Sequence, residues 1–384
     1  MESHAPGVRF LYGDCQLQDE SSSEDLCRQR QHHKKSKNPT AFVRSVCRLY
    51  ARAGSNAKSA MLTWLIARRN EQKKEYHMSM TQDTVSSLMS DCTICPRKCH
   101  VNRLAGQLGF CGQTAELTAA RAALHYWEEP CISGITGSGA VFFSGCNLQC
   151  VFCQNHDIAA GKRGKAISSE RLTEIFLELQ NKGAANINLV TGTHFIPQIA
   201  LALSSAKAQE LNIPIVYNTG SYENTSSLRL LEGLIDIYLP DLKYFSTELS
   251  VNYSHAADYF RTASSAIAEM YRQTGAPVMD PETGLMRRGV IVRHLLLPGE
   301  TRDSKKILRY LHETYQNNIY VSIMNQYTPL RHVERIPALN RRVTEEEYRR
   351  VLVFAERIGI EQGFYQEGET ADESFIPAFD EEGL

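Results

Sequence analysis

Hydrophobic and polar positions alternate in a regular way between Ala140 and Gln326. Short apolar runs are separated by longer stretches in which apolar residues recur every three or four positions. The predicted strands are Ala140–Ser144, Ile187–Thr191, Pro214–Thr219, Ile235–Leu239, Val290–Leu297 and Ile319–Gln326. Strands that alternate with helices in this way are typical of a parallel sheet with crossover helices. The pattern therefore predicts an α/β fold of six strand–helix units.

The first crossover has a clear helix pattern. Ser168 and Glu170 supply a helix start, and Gly183 suits the C-terminal end. Apolar residues fall on one helical face between these points, at Leu172, Ile175, Phe176 and Leu179.

The connection between Pro240 and Val290 is unusually long. We expect a helix over Ser264–Gln273 and a hairpin within Val278–Met286, where an Asp-Pro pair and a glycine favour a turn. A surface hairpin is the plain interpretation, and a segment that shapes substrate access is the alternative.

Three cysteines follow directly after the first predicted strand, with the spacing Cys-x3-Cys-x2-Cys at Cys146, Cys150 and Cys153. Thiolates are the usual ligands of iron–sulfur clusters, and three of them leave one iron of a cubane open. An open iron can chelate S-adenosylmethionine and pass it an electron, which cleaves it to a 5′-deoxyadenosyl radical. A structural zinc site and simple buried thiols are the alternatives. The strand-exit position, with Phe152 before the third cysteine, favours a [4Fe–4S] cluster.

On these residues the chain resembles the radical S-adenosylmethionine (radical SAM) superfamily. From about Asp91 to near the C-terminus it also resembles the branch related to pyruvate formate-lyase-activating enzymes. The resemblance implies a partial (β/α)6 barrel of the radical SAM type, with the chemistry at the C-terminal ends of the strands. It also implies S-adenosylmethionine as cofactor and an external one-electron donor such as flavodoxin or ferredoxin.

The strand ends carry the candidate cofactor contacts. The superfamily commonly has a Gly-Gly-Glu-like motif after the second strand, whereas this chain has Thr191-Gly192-Thr193-His194 and no acid there. We expect Thr191 and Gly192 to contact the cofactor, with backbone carbonyls replacing the missing carboxylate. His194 is either a hydrogen-bonding or proton-transfer group or a solvent-facing residue at a helix start.

The third strand ends at Asn218 and Ser221, which can contact a ribose, although an ordinary serine-capped turn is the alternative. The fourth strand leads into Asp241 and Lys243, and the fifth contains Arg293. We predict that these three charged residues are catalytic, because they can compensate the charges of a methionine moiety; a structural ion pair is the alternative. Asn325, Gln326 and Tyr327 are further candidates for substrate or adenine contacts.

A second group of thiols precedes the barrel, at Cys92, Cys95, Cys99 and Cys111. Four closely spaced thiolates suit either a structural zinc ion or an electron-relay iron–sulfur cluster, and the spacing does not decide between them. Four further cysteines are each interpreted as a packed thiol, with an accessory ligand as the alternative: Cys131, Cys15, Cys27 and Cys47.

Composition describes a globular chain of 384 residues, with 42% hydrophobic and 22% charged residues and a net charge of −1. The overall charge gives no reason to expect a nucleic acid or membrane partner. Clustered cysteines indicate metal binding in a reducing compartment, so we expect a cytoplasmic protein. Between Arg28 and Lys74, however, there are thirteen basic residues against one acid. This segment is interpreted as a poorly ordered extension, and a translation start at Met78 or Met80 is left open.

We therefore divide the chain into an extension (1–77), a four-cysteine metal-binding segment (78–135) and the partial barrel (136–384). The predicted function is an oxidoreductase that abstracts hydrogen from a partner, as an activase of a glycyl-radical enzyme. One alternative is radical modification of another protein, peptide or metabolite. The other is a non-catalytic iron–sulfur or zinc protein with a nucleic-acid-binding arm.

Overall fold

The computed structural model describes residues 81–366, 377 and 379–384, and the backbone of residues 8–10. Apart from the short strand at 8–10, the predicted extension lies outside the described residues, together with Cys15, Cys27 and Cys47. The alternative starts at Met78 and Met80 lie outside them as well, so these predictions stay open.

The strands are β1 (Val8–Phe10), β2 (Thr118–His125), β3 (Ser138–Phe143), β4 (Lys165–Ala166), β5 (Ile187–Val190), β6 (Ile215–Thr219), β7 (Ile237–Pro240), β8 (Val278–Met279), β9 (Met286–Leu295), β10 (Tyr320–Met324) and β11 (Gly363–Gln366). The α-helices are α1 (Gln82–Ser90), α2 (Pro130–Ser133), α3 (His156–Ala159), α4 (Ser169–Asn181), α5 (Ile196–Ala208), α6 (Thr225–Arg229), α7 (Thr247–Ser254), α8 (Tyr259–Thr274), α9 (Thr301–Tyr315) and α10 (Glu345–Ile358). Short 3₁₀ turns lie at Arg103–Ala105, Thr193–Phe195 and Arg331–Val333.

The strands form a mostly parallel sheet in the order β1-β11-β10-β9-β7-β6-β5-β3-β2-β4, with β8 paired to β9. The six predicted strands correspond to β3, β5, β6, β7, β9 and β10, and each pairs in parallel with its neighbour in sequence. Among the described strands, the antiparallel pairs are β1–β11, β2–β3, β2–β4 and β8–β9. An α/β fold with a mostly parallel sheet is therefore confirmed.

The predicted helix of the first crossover is α4. Ser168 caps it by accepting a hydrogen bond from the backbone N–H of Arg171. All four apolar positions named above are buried in the main core, and each contributes about 1.5–3 kcal/mol through burial. The helix expected over Ser264–Gln273 is also present, as the longer α8.

The fifth predicted strand begins earlier than expected. The hairpin expected at Val278–Met286 is formed by β8 and β9, and β9 continues without a break from Met286 to Leu295. The predicted start at Val290 was therefore wrong, because the turn residues lead straight into the strand. The predicted end at Leu297 was also wrong, since β9 ends at Leu295.

The sequence analysis missed β2, which pairs antiparallel with β3. Between these strands, residues 128–133 form a plug segment against the inner face of the sheet. Cys131 and Ile132 are buried there with apolar side chains of β6, β7 and β9. Cys131 is therefore a packed thiol, and the plug positions two acids, Glu128 and Glu129, inside the sheet.

Within the described residues, no helix is both long enough and apolar enough to cross a membrane.

Candidate active site

A cavity of about 290 Å³ lies at the C-terminal ends of the parallel strands. It brings together most of the residues singled out in the sequence, namely Cys146, Cys150, Cys153, Phe152, Thr191, Asn218, Asp241, Lys243, Arg293 and Gln326. Gly192 and Ser221 are not among the residues that line it, and their contact with a cofactor stays a prediction. Asn325 and Tyr327 also lie outside the lining.

The three thiols sit on a triad loop (residues 144–155) that leaves the end of β3. Gly145 has a φ of +86°, and a Cβ there would lie 2.6 Å from the carbonyl oxygen of Cys111, so only glycine fits without strain. Ser254 Oγ donates a hydrogen bond to Cys150 Sγ at 2.9 Å, and the N–H of Leu148 donates to Cys146 Sγ at 3.4 Å. The loop is therefore held on both sides of the thiols.

The environment of the thiols is enclosed, and the ammonium of Lys243 lies near them. Burial, together with the neighbouring Cys150, raises the pKa of Cys146 to about 11 and that of Cys153 to about 12. The ammonium of Lys243 opposes this increase at both positions. A bound metal would reverse the shift, since thiolates form readily beside a cation.

Phe152 fills the space beside the thiols. It packs edge-on against Tyr244, Tyr253 and Tyr327, with ring centroids 6.2–6.5 Å apart. The aromatic wall limits the access of water to this side of the loop.

The charged residues predicted at the strand ends form one network. Lys243 Nζ lies 2.6 Å from Asp241 Oδ2, and Arg293 Nε lies 2.9 Å from Asp241 Oδ1. Arg293 also donates from Nη2 to Asn218 Oδ1 at 2.5 Å and from Nη1 to Glu128 Oε2 at 3.1 Å. The side chains are mostly buried, with exposed fractions of 9–19% for the four charged residues. The network therefore fixes both cations at the cavity wall.

The network favours the charged forms of Asp241 and Lys243. Burial would raise the pKa of Asp241, but Lys243 and Arg293 outweigh burial and hold that pKa below its usual range. Burial likewise disfavours the ammonium of Lys243, but Asp241 outweighs it and raises the pKa. Two cations and a carboxylate are therefore available at the cavity across the neutral pH range.

The two acids of the plug segment were missed in the sequence. Glu128 Oε1 accepts hydrogen bonds from Asn188 at 2.9 Å and Asn218 at 3.3 Å. Glu129 is fully buried, and burial raises its pKa. Glu129 is one of the residues that line the cavity, and its buried Oε2 atom has no hydrogen-bond partner among the described residues. The only sequence signal was an acidic pair just before Pro130, which ordinarily indicates an exposed loop.

The end of β5 has a strained backbone. Thr191 has a φ of +60°, which is rare for a β-branched residue, and its N–H donates to the carbonyl of Asn218 at 2.9 Å. Gly192 lies behind it, where a Cβ would be 2.5 Å from Ile199 Cδ1. Gly192 thus permits close packing of the strand end against α5.

His194 neither faces solvent nor lines the cavity. It is buried, its Nε2 lies 2.6 Å from the carbonyl oxygen of Ser144, and its pKa falls to about 3 through burial and the nearby Arg103. Burial favours the neutral ring, and its contact with Ser144 supports the start of the triad loop.

A buried carboxylate does occur near this strand end, although it comes from another element. Glu223 Oε1 accepts hydrogen bonds from Thr193 at 2.6 Å, Thr219 at 2.5 Å and Tyr217 at 3.1 Å. Both threonines line the cavity. Burial raises the pKa of Glu223 to about 7, and Oε2 has no partner among the described residues. No sequence pattern pointed to Glu223, since it lies beyond the end of β6.

The comparison with protein families finds a match over the region that carries the site. Residues 140–311 match the model of the radical SAM superfamily, and this region includes the triad loop, Asp241, Lys243 and Arg293. This part of the chain is similar to the radical SAM superfamily. The match does not distinguish the activase branch from other branches.

Similar proteins extend beyond the radical SAM domain. An uncharacterized protein of Methanocaldococcus jannaschii is 28% identical over 298 residues, which cover 76% of this chain and 82% of that protein. Among solved structures, a radical SAM methyltransferase from Sphaerobacter thermophilus matches with a TM-score of 0.40 and 16% identity, over 60% of this chain and 67% of that one. Streptococcus suis SuiB, bound to its precursor peptide SuiA, matches with a TM-score of 0.40 and 14% identity, over 58% and 46%.

Proposed function

We propose that this protein is a radical SAM enzyme that abstracts hydrogen from a bound partner, with a glycyl-radical enzyme as the candidate partner. The observation that carries the proposal is the meeting of the triad loop and the Asp241–Lys243–Arg293 network in one cavity. Thiols alone would suit many metals, but thiols that share a cavity with a fixed charge network suit a cluster and a zwitterionic cofactor.

The triad loop fits a [4Fe–4S] cluster by the chemistry of its donors. Its three thiols border one cavity and interact with one another electrostatically. No three His, Cys, Asp or Glu side chains already stand in metal-ligating positions in the described ranges, so ligation requires these side chains to turn. When bound and reduced, the cluster supplies the electron that cleaves S-adenosylmethionine to methionine and a 5′-deoxyadenosyl radical.

The charge network fits the polar end of S-adenosylmethionine. Lys243 and Arg293 can neutralise a carboxylate, whereas Asp241 can accept a hydrogen bond from an ammonium group. Asn218 and Thr191 line the same wall and can bind hydroxyl groups. Because the network is pre-formed, these residues need little rearrangement to orient the cofactor.

The finer assignments follow from this arrangement and from the resemblance stated above. The sequential order of parallel strands supports a partial (β/α)6 barrel. The Asp-Leu-Lys run at 241–243 and the strand carrying Arg293 support an activase, which would convert a glycine Cα–H of its partner to a radical. Free thiols and a reducible cluster suit the cytoplasm, with a flavodoxin or ferredoxin as electron donor.

The activase proposal is tested by electron paramagnetic resonance. The reconstituted, reduced enzyme is mixed with S-adenosylmethionine and a candidate glycyl-radical enzyme under anaerobic conditions. We expect a glycyl radical signal on the partner that loses its hyperfine splitting when the partner contains deuterated glycine. Cleavage of S-adenosylmethionine without any glycyl radical on the candidates tested would contradict the activase assignment and favour modification of another protein, peptide or metabolite.

A further inference from the structure

The four cysteines that precede the barrel lie together, outside the cavity. Cys92, Cys95 and Cys111 are 6–8% exposed, and Cys99 is partly exposed. A Cβ on Gly109 would lie 3.5 Å from Cys111 Sγ and 3.6 Å from Cys99 Sγ. Cys95 interacts electrostatically with Cys92 and Cys111, and Cys111 with Cys92 and Cys99. The fold therefore brings the four thiols near one another. Because no three ligand side chains already stand in metal-ligating positions among the described residues, ligation here too requires the side chains to turn.

A buried cation accompanies these thiols. Arg103 is only 1% exposed, and its guanidinium donates to the carbonyl oxygens of Thr114 and His194 and lies 4.0 Å from Cys92 Sγ. No carboxylate pairs with it in the described part of the chain. A buried guanidinium without a counter-charge is costly, and thiolates would supply that charge.

The apolar core around the thiols is small. It consists of Val85, Met89, Cys92 and Ile94, with Val101, Ala115 and Leu201 at its margin. So small a core gives little stability by itself, and small segments of this kind commonly depend on a metal or on disulfides.

The same segment braces the triad loop. Arg97 donates from Nε to the carbonyl oxygen of Asn147 at 2.8 Å and from Nη2 to that of Ser254 at 3.0 Å. Its guanidinium also stacks on Phe110 at 3.9 Å. Gln149 in turn donates to the carbonyl oxygen of Phe110 at 2.6 Å. Any group that orders the four-cysteine segment therefore also orders the triad loop.

We propose that Cys92, Cys95, Cys99 and Cys111 hold one closed metal–thiolate centre, with Arg103 as its buried counter-charge, and that this centre fixes the loop that carries Cys146, Cys150 and Cys153. The thiols release their protons on binding. Four protein ligands leave no open position, so the centre is distinct in role from the triad. This inference goes beyond the proposed function and does not depend on it.

The metal content of the full-length chain with Cys146, Cys150 and Cys153 all changed to alanine tests the proposal. We expect either about one zinc ion per chain without sulfide, or iron and sulfide in equal amounts. These two results separate a zinc site from an iron–sulfur cluster, and both support the centre. A folded variant that contains neither metal would overturn it.

Two further changes in this background make the test specific. Cys95→Ser should remove the metal, whereas Cys131→Ala, at a packed thiol outside the segment, should retain it. Equal metal content in all three proteins would overturn the assignment of the ligands.

A measurement on the unaltered chain covers the case in which the variants do not fold. Alkylation followed by mass spectrometry should show the four thiols protected, and a strong chelator should expose them. Equal labelling with and without chelator would contradict a bound metal.

Discussion

Arg293 and Glu128 form a buried ion pair, with Nη1 and Oε2 3.1 Å apart, that joins the sheet to the plug segment inside it. Arg293 lies on β9, and Glu128 precedes α2, so the pair links distant parts of the chain. The same guanidinium also contacts Asp241. The pair therefore sets both the position of the plug and the charge of the cavity wall.

Removing the carboxylate of Glu128 should destabilise the fold. Without Glu128, Arg293 keeps only Asp241, which it shares with Lys243, so the buried cations are under-compensated. Glu128→Ala should therefore lower the free energy of unfolding by about 3 kcal/mol, the lower end for a broken buried pair. Glu128→Gln keeps a hydrogen-bonding side chain and should cost less. Urea unfolding of the ligand-free protein measures both changes.

The exposed Glu174, which pairs with Arg171 on α4, provides the control. Glu174→Ala should change the free energy of unfolding by about 0–1 kcal/mol. A similar, small loss for Glu128→Ala would show that the Arg293 pair does not hold the plug.

Glu223 should make stability depend on pH. Its folded pKa is about 7, above the ordinary value of 4.5, so its contribution is complete below pH 4.5 and is lost as the pH rises through 7. The free energy of unfolding of Glu223→Gln, relative to that of the wild type, should therefore rise by about 3 kcal/mol between pH 4.5 and pH 8. Chemical unfolding across this range measures the difference, and a difference independent of pH would rule out the buried, protonated carboxyl.

Gly145 should tolerate no side chain. Gly145→Ala combines a positive φ with a clash against the carbonyl of Cys111, whereas Gly183, with a φ of +83°, has nothing within 4 Å of an added Cβ. Gly183→Ala should lower the free energy of unfolding by about 1 kcal/mol, from backbone strain alone. Gly145→Ala should cost more and should reduce iron binding by the triad, as measured by thermal unfolding and iron content. Equal effects of the two changes would contradict the packing of the triad loop on the four-cysteine segment.

Arg97 should control how firmly the triad holds iron. Its hydrogen bonds to Asn147 and Ser254 are lost in Arg97→Gln, so a chelator should remove iron from the reconstituted protein about tenfold faster. The exposed Arg302→Ala on α9 should leave the rate unchanged. If the chelator removes iron from Arg97→Gln and from the wild type at the same rate, the hydrogen bonds of Arg97 do not stabilise the triad loop.

Much of the sheet could be predicted from the sequence because its central strands are apolar runs. Each of the six predicted strands is present, and the largest error in their limits lies at Met286, where a hairpin continues into β9. By contrast, β2 was missed. It is rich in alanine, with Ala119, Ala120 and Ala122 buried, and alanine has a low strand propensity.

The chemistry of the site was less predictable than the fold. Cysteine spacing and charged strand ends point to residues that share the cavity, because residues at the ends of adjacent parallel strands must lie close together. Glu128 and Glu223 carry no such pattern, since they lie in loops and become buried only through tertiary packing. Sequence reasoning likewise could not show that His194 is buried under the triad loop.

The most direct test of the central claim is the formation of 5′-deoxyadenosine. The reconstituted protein is reduced anaerobically and given S-adenosylmethionine, beside Cys150→Ala and the control Cys131→Ala. We predict 5′-deoxyadenosine from the wild type and from Cys131→Ala, and none from Cys150→Ala. If the wild type, with its cluster fully loaded and reduced, forms no 5′-deoxyadenosine, the radical enzyme account is contradicted.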